Sequence, residues 1–160
     1  MARQVFFTFH YQRDIWRVNT IRNHSITKID TQYLDHSLWE EEKKKGDEAI
    51  KKIIEEGLVG SSVTAILIGQ ETAGRKWVNY ELTRSHVLGK GIIGIYIHKI
   101  KDRDGSTDWQ GHNPLDDWTI RQNGHSVKLS SIYPTYDWID NNGYNNFVDW
   151  IEKAAKQAGR

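Results

Sequence analysis

The stretch "VTAILIGQETAGRKWVNYELTRSHVLGKGIIGIYIH", residues 63–98, holds two short β-branched runs with a helical pattern between them. "VTAILIG" and "GIIGIYIH" are each too short for a helix and are flanked by polar or glycine-bearing segments. Both are almost continuously apolar, as strands of a parallel sheet covered on both faces must be; a half-wet sheet alternates instead. Strand, helix, strand in that order predicts a parallel crossover unit.

The same reading extends in both directions. "VFFTFHY" (5–11) is a third buried run, followed by a helix over 14–24 in which Ile15, Val18 and Ile21 keep helical spacing behind an Asp14 N-cap. A weak strand is expected near 26–34. A helix over 40–56 places Ala49, Ile50, Ile53 and Ile54 on one face, with Glu40 and Glu41 four residues before Lys44 and Lys45, Gly46 weakening its middle and Gly57 as its C-terminal cap. After a polar segment, 99–128, a strand near 129–133 and a final helix carrying Tyr144, Phe147, Val148, Ile151, Ala154 and Ala155 complete the pattern, with Asn141 or Asn142 as cap. The alternation predicts an α/β doubly wound parallel sheet with helices on both faces, in one domain spanning 1–160.

Composition removes several function classes. Twenty-two lysines and arginines against 21 aspartates and glutamates leave a net charge of +1, which supplies no general field for nucleic acid or an anionic membrane. Without cysteine there is no disulfide, thiolate nucleophile or Cys-type metal site. The seven histidines form no H-E-x-x-H and no compact ligand cluster, so no metal centre is expected. The opening residues lack the apolar run of a signal peptide, and "GIIGIYI" is far below the roughly 18 residues of a membrane span, which predicts a soluble cytoplasmic protein. No G-x-S-x-G elbow or phosphate-binding P-loop is present, and the G-x-G-x-x-G match at Gly89, Gly91 and Gly94 leads into a strand, which makes it a turn.

A doubly wound sheet binds ligands outside the carboxyl ends of its strands, which selects residues 9–12, 35–39, 69–72 and 98 onward. Glu81 stands apart from these. At about 100° per residue it falls between Trp77 and Val78, on the side of its helix that should face the core. A carboxylate there must either meet a cation, Arg84 or Arg75, or open onto a cleft where a ligand satisfies it.

Two of these stretches have a family likeness. "VFFTFHYQ" resembles the first-strand box of TIR domains, and "RKWVNYEL" their W-x-x-x-E helix, whose glutamate is catalytic in NAD-cleaving members. With "RVNTIRNHSITK", "SLWE", "SVTAILIG", "KGIIGIYIHKIKD", "NPLD" and "YDWIDNNGYNNFVDWI" added, nearly the whole chain resembles, in order, the TIR-like signal-producing subunit of Thoeris antiphage systems. That resemblance implies a flavodoxin-like, TIR-like fold and an enzyme of the NAD glycohydrolase or ADP-ribosyl cyclase type. It implies NAD as substrate with no separate cofactor, a cyclic or modified ADP-ribose messenger that activates a partner effector protein, a phage-derived trigger and a homo-oligomer. Carried over residue by residue, it makes Glu81 catalytic and puts Phe9, His10, Asp35, Ser37, Trp39, Trp77 and Asn113 at the substrate; Trp77 also reads as a core anchor and Asn113 as the start of a turn at Pro114.

One carboxylate suffices for such chemistry. A glycosidase ordinarily needs two, one of them to protonate the leaving oxygen. Nicotinamide is already cationic in NAD and departs neutral, so a single Glu81 has only to hold the ribose and stabilise the positive charge that develops on it. Aromatic walls and the long polar segment would keep water out. The competing readings are a non-catalytic TIR-like interaction module and a nucleoside-processing enzyme of related fold.

Overall fold

The computed structural model describes residues 3–25, 28–34 and 36–160, with side chains left undescribed at 25 and 36–38. Its frame is a five-stranded sheet in the order β2-β1-β3-β4-β7, formed by β1 (Arg3–Thr8), β2 (Ile29–Tyr33), β3 (Val63–Ile68), β4 (Gly91–Tyr96) and β7 (Thr135–Asp137). Every pairing in it is parallel, with Val5 opposite Val63, Ile66 opposite Gly94 and Ile95 opposite Tyr136. The expected doubly wound, flavodoxin-like sheet is thus present, and its strand order reverses between β1 and β3.

The period-two geometry of the strands divides the core. Val5, Phe7, Ala65, Leu67, Ile93 and Ile95 face one layer, where Val18 and Ile21 of α1 (Tyr11–Ser25) and Phe147, Trp150 and Ile151 of α5 (Gly143–Gln157) cover them. Phe6 faces the other layer, against Ile50, Ile54 and Leu58 of α3 (Asp47–Val59). On that same face Ile66, Ile68 and Ile92 pack on Leu82 of α4 (Lys76–Val87).

Several boundaries differ from expectation. α1 begins at Tyr11, so Asp14 is no cap; its side chain is fully buried beside Arg17, at 3.6 Å. The helix expected over 40–56 is two, α2 (His36–Lys43) and α3, broken at Gly46, whose φ of 101° only glycine adopts at ease. Gly57 lies inside α3, not at its end, because a Cβ there would stand 2.7 Å from Phe6 Cε2; the bare backbone lets the helix lie on that ring. Of the weak strand near 26–34, Ile26 and Thr27 lie outside the described residues, and β2 covers 29–33.

The strand expected at 129–133 is a 3-10 turn, Leu129–Ser131. Its apolar residues, Leu129, Ile132 and Tyr133, keep a three-to-four spacing unlike a strand, and β7 starts only after Pro134, which has no N–H to give a ladder. The polar segment is not wholly irregular, since β5 (Thr119–Gln122) and β6 (His125–Lys128) form a hairpin about Asn123-Gly124, both with positive φ. Neither Asn141 nor Asn142 caps α5 through its side chain: Asn142 is the cap residue in a left-handed conformation, and Asn141 Oδ1 accepts from the Asp137 N–H. Tyr144 is exposed, stacked on His24, and Trp150 takes the core position instead. Among the described residues, no helix is long and apolar enough to cross a membrane.

Candidate active site

At the carboxyl edge of the sheet, where the order reverses, the chain leaves β1 through Phe9 and His10 and turns at once into α1. Across the gap stands the first part of α4. The cavity between them measures about 290 Å³, near the lower end for a small-molecule site. Phe7, Phe9, His10, Tyr11 and Gln12 form one wall, Arg75, Lys76, Trp77, Val78 and Glu81 the other, and Leu34 and Trp39 close the side toward β2.

α4 buries Val78, Glu81, Leu82 and Ser85, the i, i+3, i+4, i+7 face of an amphipathic helix. Glu81 therefore occupies a core position and is 4% exposed. Neither candidate cation reaches it. Arg84 turns outward to Glu55, with Nη2 to Oε2 at 3.2 Å, and Arg75 donates to His10 and, through Nε, to the Glu71 carbonyl. Among the described residues the carboxyl group has one hydrogen bond, from Thr8 Oγ1 to Oε1 at 2.6 Å, while Oε2 has none. Burial pushes its pKa up to about 8, against a smaller downward pull from the Thr8 hydroxyl.

The backbone of Glu81 is fixed as well. Ser85 Oγ donates to the Glu81 carbonyl at 2.6 Å and is itself 2.7 Å from Thr64 Oγ1 on β3. The neighbouring wall is aromatic: Phe9 lies against Tyr33 and Tyr11, at 5.6 and 6.0 Å between centroids. Trp77 both lines the cavity and packs on the Phe6 layer. Lys43 Nζ and Lys76 Nζ sit 4.7 and 4.9 Å over the Trp39 and Trp77 rings. His10 accepts from Arg75, and burial together with that guanidinium lowers its pKa, so it is held neutral.

Of the residues singled out in the sequence, Glu81, Phe9, His10, Trp39 and Trp77 meet at this cavity. Asp35 lies outside the described residues, and Ser37 is in α2 with its side chain undescribed. Asn113 does not line the cavity; its Oδ1 caps the turn Pro114–Asp117 by accepting from the Leu115 N–H, and its Nδ2 donates to Thr135 on β7. Residues 69–72 fasten their own loop, the Gly69 N–H donating to Thr72 Oγ1. Sequence reasoning missed Thr8 and the lining role of Arg75 and Lys76; position in "VFFTFHY" on the same strand face as Phe6 was the available signal for Thr8. Among the described residues no group of three or more His, Asp or Glu side chains is placed to hold a metal ion.

A doubly wound parallel sheet with a W-x-x-x-E helix at its switch point, whose buried glutamate meets no cation among the described residues, defines a TIR-like domain with a cleft at that helix. The family model for the TIR-like domain of the Thoeris protein ThsB matches residues 6–102, which include both walls of the cavity. The chain is also 39% identical, over 191 aligned positions covering 94% of it and the whole of the relative, to a protein of Bacillus cereus (strain MSX-D12) named "Putative cyclic ADP-D-ribose synthase ThsB1". This chain belongs to the Thoeris ThsB TIR-like family.

Proposed function

We propose that the protein cleaves the nicotinamide–ribose bond of NAD and converts the remainder into a cyclic or modified ADP-ribose signal that activates a partner effector in antiphage defence. The observation that carries this reading is Glu81, a buried carboxyl group that lines a cavity and, among the described residues, has one oxygen without a partner and no cation paired with it. A buried charge without a partner is costly, and a nicotinamide riboside brings the missing positive charge with it. The name of the Bacillus cereus relative, "Putative cyclic ADP-D-ribose synthase ThsB1", supports the same chemistry.

The cavity has room for an aromatic ring and a sugar but not a whole dinucleotide, so the adenosine half lies outward. Phe9, Trp39 and Trp77 supply flat apolar surface for the nicotinamide, and Arg75, which pairs with no carboxylate among the described residues, stands at the rim where a diphosphate passes. As the glycosidic C–N bond breaks, its electron pair leaves with the nicotinamide and positive charge appears on the ribose. Glu81, which gives up its proton to solvent as the cationic nucleotide binds beside it, stabilises that charge in its ionised form and holds the ribose hydroxyls. A nucleophile on the same substrate, or water, then takes the anomeric carbon and releases a proton.

Incubation of the protein with NAD, alone and with extract of phage-infected cells, followed by chromatography of nicotinamide and ADP-ribose products, tests this. Product from wild type and a loss of at least about 100-fold in Glu81→Gln are expected, the scale of removing one preorganised electrostatic group. Undiminished product from Glu81→Gln removes that residue from the chemistry. Silence under every trigger favours the interaction module.

A further inference from the structure

We propose that Thr8 is the positioning residue of this site: its hydroxyl holds Glu81 Oε1, fixing the carboxyl group and favouring its ionised form for the cationic half of a pyridinium nucleotide. The proposal rests on the reading of Glu81 as the group that faces the substrate.

Thr8 is the last residue of β1 and is fully buried. It shares its strand face with Phe6 and lies opposite Ile66, whose side chain packs toward α4, so its surroundings on the sheet are apolar. Valine has the same shape and a higher preference for such a position, and a hydroxyl there is costly unless bonded. Among the described residues the hydroxyl is bonded to Glu81 alone, at 2.6 Å. One O–H donor offered to one carboxylate oxygen does two things. It fixes the rotation of the carboxyl group, and it favours the ionised form that accepts the bond, opposing the desolvation that favours the acid. The cations of its own helix and N-cap are turned elsewhere, Arg84 to Glu55, Lys76 to Asp47 and Arg75 to His10, and His10, the titratable group on the opposite wall after β1, is held neutral by burial and by that guanidinium. Thr8 is therefore the group left to set the charge of Glu81 before substrate arrives. Thr64, another buried threonine on the same sheet face, bonds Ser85 and does not touch the carboxylate, which makes it the matched control.

The test is a carboxyl-carbon NMR titration of the full chain labelled at glutamate, with the Glu81 signal identified by its absence in Glu81→Gln, alongside the pH profile of NAD cleavage. Thr8→Val is expected to move the Glu81 titration up by about one pH unit or more and to move the acid limb of kcat/KM with it, one such unit being a tenfold change in ionised fraction. Thr8→Ser is expected to retain the wild-type titration, and Thr64→Val to leave it in place. Should Thr8→Val fail to fold, Thr8→Ala and Thr8→Ser are compared, since both lose the methyl and only serine keeps the donor. A Glu81 titration that ignores Thr8→Val, or follows Thr64→Val equally, overturns the proposal. A titration that follows Thr8 in a protein that never cleaves NAD supports the positioning and overturns the activity reading alone.

Discussion

Glu81 can be judged by what its charge costs. Burial lifts its carboxyl from near 4.5 to about 8, so between those values the unfolded chain has released a proton that the folded chain retains. The contribution to stability is complete below about pH 4.5 and is lost as pH rises through about 8. Glutamine has the shape without the titration. Glu81→Gln is expected to unfold much like wild type at pH 4 and to be more stable above, the gap widening up to pH 8 to at most about 5 kcal/mol; urea midpoints across the range measure it. A constant gap would mean that Glu81 is already ionised, and paired, in the folded protein. The residue was legible in the sequence because helical spacing alone put a carboxylate on the inward face. Its partner was not: Arg84 stands three residues and Arg75 six residues from it along the chain, and only the placement of Glu55 and His10 draws them away.

The elements show how a glycine can be read correctly as special and wrongly as to purpose. Gly57 resembles a helix stop, yet α3 passes through it because Phe6 of β1 occupies the space of its side chain. Gly57→Ala gains up to about 1 kcal/mol of helix propensity and loses more to overpacking against a buried ring, for a net cost of about 1–2 kcal/mol. In a Phe6→Leu background the same change is expected to become neutral or stabilising, a coupling that a double-mutant cycle in urea reads directly. A cost that persists without the phenyl ring would place the strain elsewhere. The β3-α4-β4 unit was legible because full burial on both faces makes apolar runs conspicuous. The β5–β6 hairpin was passed over although "NG" marks its turn, because its strands are short and largely exposed, with no apolar alternation to flag them.

At the scale of the molecule, the segment 99–113 returns across the carboxyl edge without strands or helices, and it is held largely by one side chain. Arg17, 2% exposed, donates from Nε to the Ile100 carbonyl at 2.7 Å, from Nη2 to the Ser106 carbonyl at 2.9 Å, and pairs with Asp108 at 3.1 Å. Arg13 adds a second bond to Asp108 and one to Glu71 at the rim of the cavity. Arg17→Met takes the paired cation from Asp14 and removes the Arg17 bonds to the Ile100 and Ser106 carbonyls and to Asp108, at about 3–5 kcal/mol, which for a domain of this length lowers the melting temperature by roughly 10 °C. Amide exchange of residues 100–108 is expected to quicken more than that of β3 and β4. Equal change throughout would make Arg17 an ordinary core anchor.

The order of strands and helices, the parallel sheet and the misplaced carboxylate on α4 are all local in origin, because hydrophobic period and turn chemistry act over a few residues and are written in consecutive positions. What surrounds that carboxylate is not local. Thr8 comes from 73 residues away, Arg84 finds Glu55 29 residues back, and Asn113, in a motif that pointed to the substrate, turns to Leu115 and Thr135. Whether a buried charge is paired, solvated or left open depends on which distant side chains arrive within about 3 Å of it and how much water they exclude. Only the packing of the folded chain decides that.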